Sequence, residues 1–306
     1  MKFADPKNDL AFKKIFGNEN KKEILISFLN AILGFEGNKA IKEVKIVNPY
    51  QVPKIEELKE TILDIKAKNK DNEEFIVEMQ KKDLGDFPKR SLYYTSKAYV
   101  NQLDKSENYH KLKKVYFIGI LNFNIFENKK YISRHLILNL ETQKQDLKDF
   151  EFTFIELPKF NKSLEEIDDN SIIDKWIYFL KETPNLTMIP KKLESPKEIK
   201  EAFDIATQVV WDKKELEVYE YIEKKERDER NYVHTQITRA VKKAEKKAIE
   251  KGKEVGLKEG LEKGIQKGKK ETKIEIVKKL LKQGLDNQTI SLITELSIEE
   301  INNIKE

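Results

Sequence analysis

Residues 61–68 and 74–80 alternate apolar and polar side chains with the period of a β-strand, and the segment Asn69-Lys70-Asp71-Asn72-Glu73 between them has the composition of a turn. The odd positions Leu63, Ile65, Ala67, Phe75, Val77 and Met79 are all apolar, while the even ones read Asp64, Lys66, Lys68, Glu74, Ile76, Glu78, Gln80 and Lys82. A hairpin that sets Asp64 opposite Glu78 therefore predicts every odd residue toward a core and every even one on the other face. Upstream, Asn8 or Asp9 can cap a short helix that ends at Phe16, with Gly17 as a left-handed exit. Helical spacing of Ile24, Leu25, Phe28, Leu29, Ile32 and Leu33 predicts a second helix over 20–33, with Asn20 as cap and Gly34 as stop. A short strand over 41–47 comes before Pro49 and Pro53.

Downstream of the hairpin, Asp86-Phe87-Pro88 opens a helix reaching about Leu103. Residues 115–123 form a nearly continuous apolar run that suits a strand buried on both faces, and further strands are predicted over 131–140 and 150–157. This order implies a mixed α/β domain over 1–161. From 162 to 240 the periodicity is helical, with Ile172, Ile173, Trp176, Ile177, Phe179 and Leu180 as its strongest apolar run, and the prediction is a helical subdomain. Residues 241–271 are rich in Lys and Glu, and Gly252, Gly256, Gly260, Gly264 and Gly268 recur at every fourth position. On a helix that stripe drifts by about 40° per repeat, and each glycine disfavours helix by about 1 kcal/mol relative to alanine. A helix held by close packing and a flexible linker are both open readings. Residues 272–306 parse into three short helices, the last with the capping box Ser297-Ile298-Glu299-Glu300, a helix-turn-helix-like module.

Composition narrows the chemistry. Charged residues make up 37% of the 306, yet the net charge is only +5, so charge balance alone does not call for a nucleic-acid partner. With no cysteine, disulfides, thiolate metal sites and cysteine nucleophiles are excluded. His110, His135 and His234 are dispersed and form no local cluster. The N-terminus is charged almost at once and no apolar run approaches the roughly 20 residues of a membrane span, so a cytoplasmic protein is expected.

The chemistry therefore concentrates on the even face of the hairpin. Two carboxylates paired across strands repel unless a positive group sits with them, and Mg²⁺, held by one or two carboxylates plus water and phosphate oxygens, is the usual answer. The competing reading is the wet face of an ordinary hairpin. Arg90, Tyr93 or Tyr94, Lys97 and Asn101 recur at helical spacing and can share one face of the following helix.

Asp9-Leu10-Ala11-Phe12-Lys13-Lys14-Ile15-Phe16-Gly17, the run Phe28 to Leu33, Asp64, Val77-Glu78-Met79-Gln80, and Arg90 followed by Tyr93-Tyr94 occur in consistent order. This ordered set resembles the Rpn family of recombination-promoting nucleases, the PD-(D/E)XK nuclease family transposases. The resemblance implies a restriction-endonuclease-like α/β fold, a mixed sheet core flanked by helices and followed by a helical C-terminal region. It implies a Mg²⁺-dependent (or Mn²⁺-dependent) DNA endonuclease linked to recombination or mobile elements. Asp64 and Glu78 would be metal ligands, with Asp9 as a further acidic ligand, and Gln80 would stand where a lysine is commoner. A neutral amide can orient a water but carries no charge, so Lys82 or Lys66 on the same predicted face would supply the cation. Arg90, Tyr94 and Lys97 would contact DNA. Two other classes remain: a DNA-binding or regulatory protein with a decayed nuclease core, and a homo-oligomer assembled through the C-terminal region.

Overall fold

The computed structural model describes residues 2–51, 61–104 and 106–305; Pro53 lies outside them. Helix α1 (Asp9–Phe16) starts at Asn8, whose side chain accepts from the Leu10 amide, so Asn8 rather than Asp9 is the cap. Gly17 ends it, but at φ −94° rather than in a left-handed conformation. Glycine is needed there for space, because a Cβ would lie 2.6 Å from the Lys13 carbonyl oxygen. Backbone cannot yield as a flexible side chain can, so Gly17→Ala is expected to cost about 1–2 kcal/mol, read as a lower denaturant midpoint. Helix α2 (Lys22–Leu33) follows a 3₁₀ turn capped by Asn18 rather than by Asn20, and ends at left-handed Gly34.

The main sheet is built from β1 (Val44–Val47), β4 (Ile65–Asn69), β5 (Glu74–Gln80), β6 (Val115–Leu121), β7 (Ile132–Leu136) and β8 (Phe150–Glu156). These six strands lie in the order β1-β4-β5-β6-β8-β7. Strands β2 (Tyr50–Gln51) and β3 (Thr61–Ile62) form a separate two-stranded ladder. The pairs β1/β4, β4/β5 and β7/β8 are antiparallel, whereas β5/β6 and β6/β8 are parallel. The parallel return from β5 to β6 requires a crossover, which carries α3 (Phe87–Val100). The strand expected from Ile41 begins only at Val44, because the Asn30 side chain takes the Ile41 amide (2.8 Å) and carbonyl (2.9 Å) for itself.

Both faces of the sheet are covered. The odd positions Ile65, Ala67, Phe75, Val77 and Met79 face a large core built with Phe12 and Phe16 of α1 and Phe28 of α2. Helices α4 (Ile172–Glu182) and α5 (Lys197–Ala206), expected as a separate subdomain after residue 161, bury Trp176, Phe179 and Phe203 in that same core. The other face buries Ile76, Phe117, Phe152 and Phe154 under Phe87 of α3. Gly119, opposite Glu78, makes this possible: a Cβ there would meet the Phe87 ring at 3.0 Å. The even face of the hairpin is thus a second buried face, because α3 returns across it.

The chain folds as two compact units, Met1–Lys225 and Glu226–Glu306. Helix α6 spans Lys213–Lys282 and includes the whole glycine repeat; among the described residues, apart from the helix's own nearby backbone, no atom lies within 4 Å of where a Cβ would sit at Gly252, Gly256, Gly260, Gly264 or Gly268. Nothing among the described residues packs closely on those glycines. In the second unit the end of α6 packs with α7 (Asn287–Thr294) and α8 (Ile298–Lys305) around Val277, Ile290 and Ile301. The capping box forms as expected, the Ser297 amide donating to Glu300 Oε2 (2.8 Å) and the Glu300 amide to Ser297 Oγ (3.2 Å). Among the described residues no helix is long and apolar enough to cross a membrane.

Candidate active site

The β4/β5 register pairs Ile65 with Val77, which continues to Asp64 opposite Glu78. The chain bends at Asp64 instead of extending the strand, and this overturns one detail of the parity argument. Leu63 leaves the odd-face core and packs with Ile76 and Phe87 on the opposite face. The bend lets the Asp64 carboxylate replace a missing ladder partner: the Met79 amide donates to Asp64 Oδ2 at 2.7 Å. The Asp64 amide in turn donates to Glu78 Oε1 at 3.0 Å.

Glu78 is buried, with 3% of its surface exposed. Burial pushes its carboxyl well above the usual range, and the neighbouring Asp64 charge adds to this. Burial likewise raises Asp64, to about 6, with Asp9 contributing through its charge. Glu78 is therefore held away from water, and Asp64 partly so, at the cost of their own ionisation. A surface hairpin with a wet face would impose no such cost.

Gln80 is joined to both neighbours. Its Nε2 donates to Glu78 Oε2 (3.3 Å), and its Oε1 accepts from Arg90 Nη2 (3.1 Å). Arg90 stands on α3 with its guanidinium 5.1 Å from the Phe87 ring centre, and also donates to Tyr94. The Tyr94 phenol is raised first by burial and then by the Glu78 charge, which locates it beside the same carboxylate. Arg90, Gln80 and Glu78 thus form a hydrogen-bonded relay in which both ends of the amide are engaged. Lys97 lies one turn beyond Tyr93 and Tyr94 on α3, its ammonium 5.9 Å from the Tyr93 ring centre.

The two lysines expected to supply a cation are placed differently. Lys66 forms an ion pair with Glu74 at 2.9 Å, at the opposite end of β5 from Glu78. The strand stops at Gln80, so parity does not carry through to Lys82, which is half-buried beyond the strand end. Between them in sequence, Lys81 reaches Asp5 (3.4 Å) and Glu223 (3.5 Å). His135 lies on the edge strand β7, separated from β5 by β6 and β8, with its ring tilted against Phe126 at 4.7 Å.

Helix α1 contributes from the other side. Asp9 lies within hydrogen-bonding reach of Asp64, and Lys13 pairs with Asp9 at 2.8 Å. Lys13 does not stand out in the sequence, although it lies within the motif around Asp9, and its i,i+4 spacing from Asp9 is the signal that points to it. Lys13 and Asp64 line a common cavity of about 270 Å³, together with Gly17, Ile46, Val47, Pro49, Ile65 and Lys66.

Asp64 and Glu78 offer only hard oxygen donors, and a divalent cation would offset the burial that raises both carboxyls and the Asp64 charge that adds to it at Glu78; in this respect the residues fit Mg²⁺ or Mn²⁺. Among the described residues no group of three or more His, Asp or Glu side chains gathers closely enough to hold a metal by itself. An ion held by Asp64 and Glu78, with or without Asp9, would take its remaining ligands from water or substrate, as Mg²⁺ commonly does.

A family model described as PD-(D/E)XK nuclease family transposase matches residues 6–236, spanning α1, the whole sheet, α3, α4, α5 and the start of α6. No curated protein and no solved structure matches the chain.

Proposed function

Since the chain belongs to the PD-(D/E)XK nuclease family transposases, we propose that it is a divalent-metal-dependent DNA endonuclease acting in recombination or mobile-element processes, with Asp64 and Glu78 as its metal ligands. The observation that carries this reading is the hydrogen-bonded Asp64–Glu78 pair, with Glu78 buried and Asp64 half-buried, an arrangement that is costly for the protein alone and useful to a cation. A bound Mg²⁺ would lower the pKa of a coordinated water and stabilise charge on the scissile phosphate.

The chain's own groups prepare for that chemistry. The Met79 amide fixes the Asp64 carboxylate and the Asp64 amide fixes that of Glu78, so both enter the reaction in one orientation. Gln80 transmits the rigidity of α3 to Glu78 through Arg90, which supports a positioning role for both residues. Arg90 thereby serves Glu78 first and DNA second. Tyr94 and Lys97, on the same helix, are proposed to flank the phosphodiester strand, and Asp9 to tune Asp64 from α1.

Purified full-length protein is expected to nick supercoiled plasmid with millimolar Mg²⁺ or Mn²⁺ and to leave it intact in EDTA. Plasmid that stays supercoiled in both conditions would sink the reading and favour a DNA-binding protein with a decayed core.

A further inference from the structure

We propose that Lys13 is a catalytic residue, whose ammonium group, brought in by α1, meets the scissile phosphate beside Asp64. This inference rests on the nuclease reading and deepens it.

A phosphodiester entering this site brings a negative charge toward two carboxylates, and charge on its non-bridging oxygens grows as the attacking oxygen adds. A cation must stand where that charge develops. Gln80 carries none, and its amide is already engaged at both ends, by Glu78 and by Arg90. Lys66 and Lys68 are drawn to Glu74, each at 2.9 Å. Lys81 is drawn to Asp5 and Glu223. Arg90 is committed to Gln80, Tyr94 and the Phe87 face.

Lys13 is placed otherwise. Lys66 also lines the cavity of about 270 Å³ that Lys13 shares with Asp64, but Lys66 is 12% exposed and its ammonium is held by the buried Glu74. The Lys13 side chain is 40% exposed so that a substrate can reach it, and its charge acts on Asp64 and Glu78. Its partner Asp9 is 58% exposed, so the pair between them is a weak, solvated one that a phosphate can displace. The helix fixes its origin: the Gly17 amide closes on the Lys13 carbonyl at 2.8 Å, and Phe12, Ile15 and Phe16 anchor α1 in the core.

In the hydrolysis a bond forms between a water oxygen and phosphorus while the bond between phosphorus and one ester oxygen breaks. The water gives one proton to solvent and the departing oxygen takes one, so one water is consumed and a phosphate terminus and a hydroxyl terminus appear. Lys13 holds the charge on the non-bridging oxygen throughout.

The test compares the full-length parent with Lys13→Met, Lys13→Arg and Asp64→Asn in plasmid cleavage at saturating Mg²⁺, with Mn²⁺ calorimetry and thermal melts on each. Lys13→Met is expected to lose about 10²–10³-fold in kcat with KM for DNA nearly unchanged. It should bind Mn²⁺ at least as tightly as the parent, because a positive charge has left the neighbourhood of the ligands. Lys13→Arg, which keeps the charge, should recover much of the rate. Parental kcat in Lys13→Met, beside an active parent and an inactive Asp64→Asn, overturns the role of Lys13 alone. Weaker Mn²⁺ binding together with a lowered melting temperature also overturns it, since Lys13 would then be structural. A parent that does not cleave overturns the nuclease reading and this role with it.

Discussion

Asp64→Asn is expected to make the metal-free protein more stable at pH 7 while removing its divalent-dependent cleavage of DNA. The two effects have one cause. In the folded protein burial raises the Asp64 carboxyl from 3.8 to about 6. The folded state therefore holds a proton that the unfolded chain releases, and stability falls as pH rises from about 4 through about 6, by about 3 kcal/mol in the upper limit. Above that window the whole penalty is present. Asparagine keeps an oxygen to accept from the Met79 amide, which Asp64 Oδ2 accepts at 2.7 Å, but never ionises. Its melting temperature should exceed the parent's at pH 7 and match it near pH 4. Added Mg²⁺ should raise the parent's melting temperature and leave the variant's unchanged. Losing a charged ligand should lower cleavage by at least about 10³-fold, near the upper end of what one electrostatic contact supplies. A variant less stable than the parent at pH 7, or one that still nicks plasmid at the parental rate, would contradict the assignment of Asp64.

Trp176→Ala is expected to give the largest loss of stability, about 3–5 kcal/mol, read as a drop in denaturant midpoint with the slope unchanged. Trp176 is fully buried. Its ring centre lies 5.6 Å from Phe16, 5.9 Å from Phe28 and 5.7 Å from Phe179, and its indole N–H donates to Ser27 Oγ at 3.3 Å. Alanine would leave a large cavity among side chains that already close-pack three helices and would orphan the Ser27 contact. The loss is a large fraction of the roughly 5–15 kcal/mol that stabilises an ordinary domain. Phe16 belongs to α1, the helix that carries Asp9 and Lys13, so residual cleavage by the folded fraction should also fall. A midpoint shift equivalent to less than about 1 kcal/mol would mean that α4 does not share the core of the sheet.

Where periodicity is strong, the sequence is a good guide. The strands over Val115–Leu121 and Phe150–Glu156 and the helices over Asp9–Phe16 and Lys22–Leu33 lie where their apolar patterns put them. The misreadings have local physical causes. Gly17 reads as a left-handed exit, but it serves close approach to the Lys13 carbonyl. Asn20 reads as a cap, but Asn18 performs that role for the 3₁₀ turn before α2. Leu63 follows the odd-numbered pattern in sequence, yet the bend at Asp64 turns it to the other face.

The candidate site divides in the same way. Side-chain alternation with period two and the turn between residues 68 and 74 were enough to put Asp64 and Glu78 on one face, because parity is a local property of the hairpin, while the Ile65–Val77 pairing sets them opposite each other. Whether that face was wet or buried was not local. It depended on α3 crossing back over the sheet and on Gly119 leaving room for Phe87. The same packing engages both ends of Gln80, draws Lys66 to Glu74 and brings Lys13 to the cavity wall beside Asp64. By itself the sequence determined that Asp64 and Glu78 can share one face of a hairpin. The tertiary structure alone decided which cations stand near them, since charges distant in sequence are matched only when helices dock on a finished sheet.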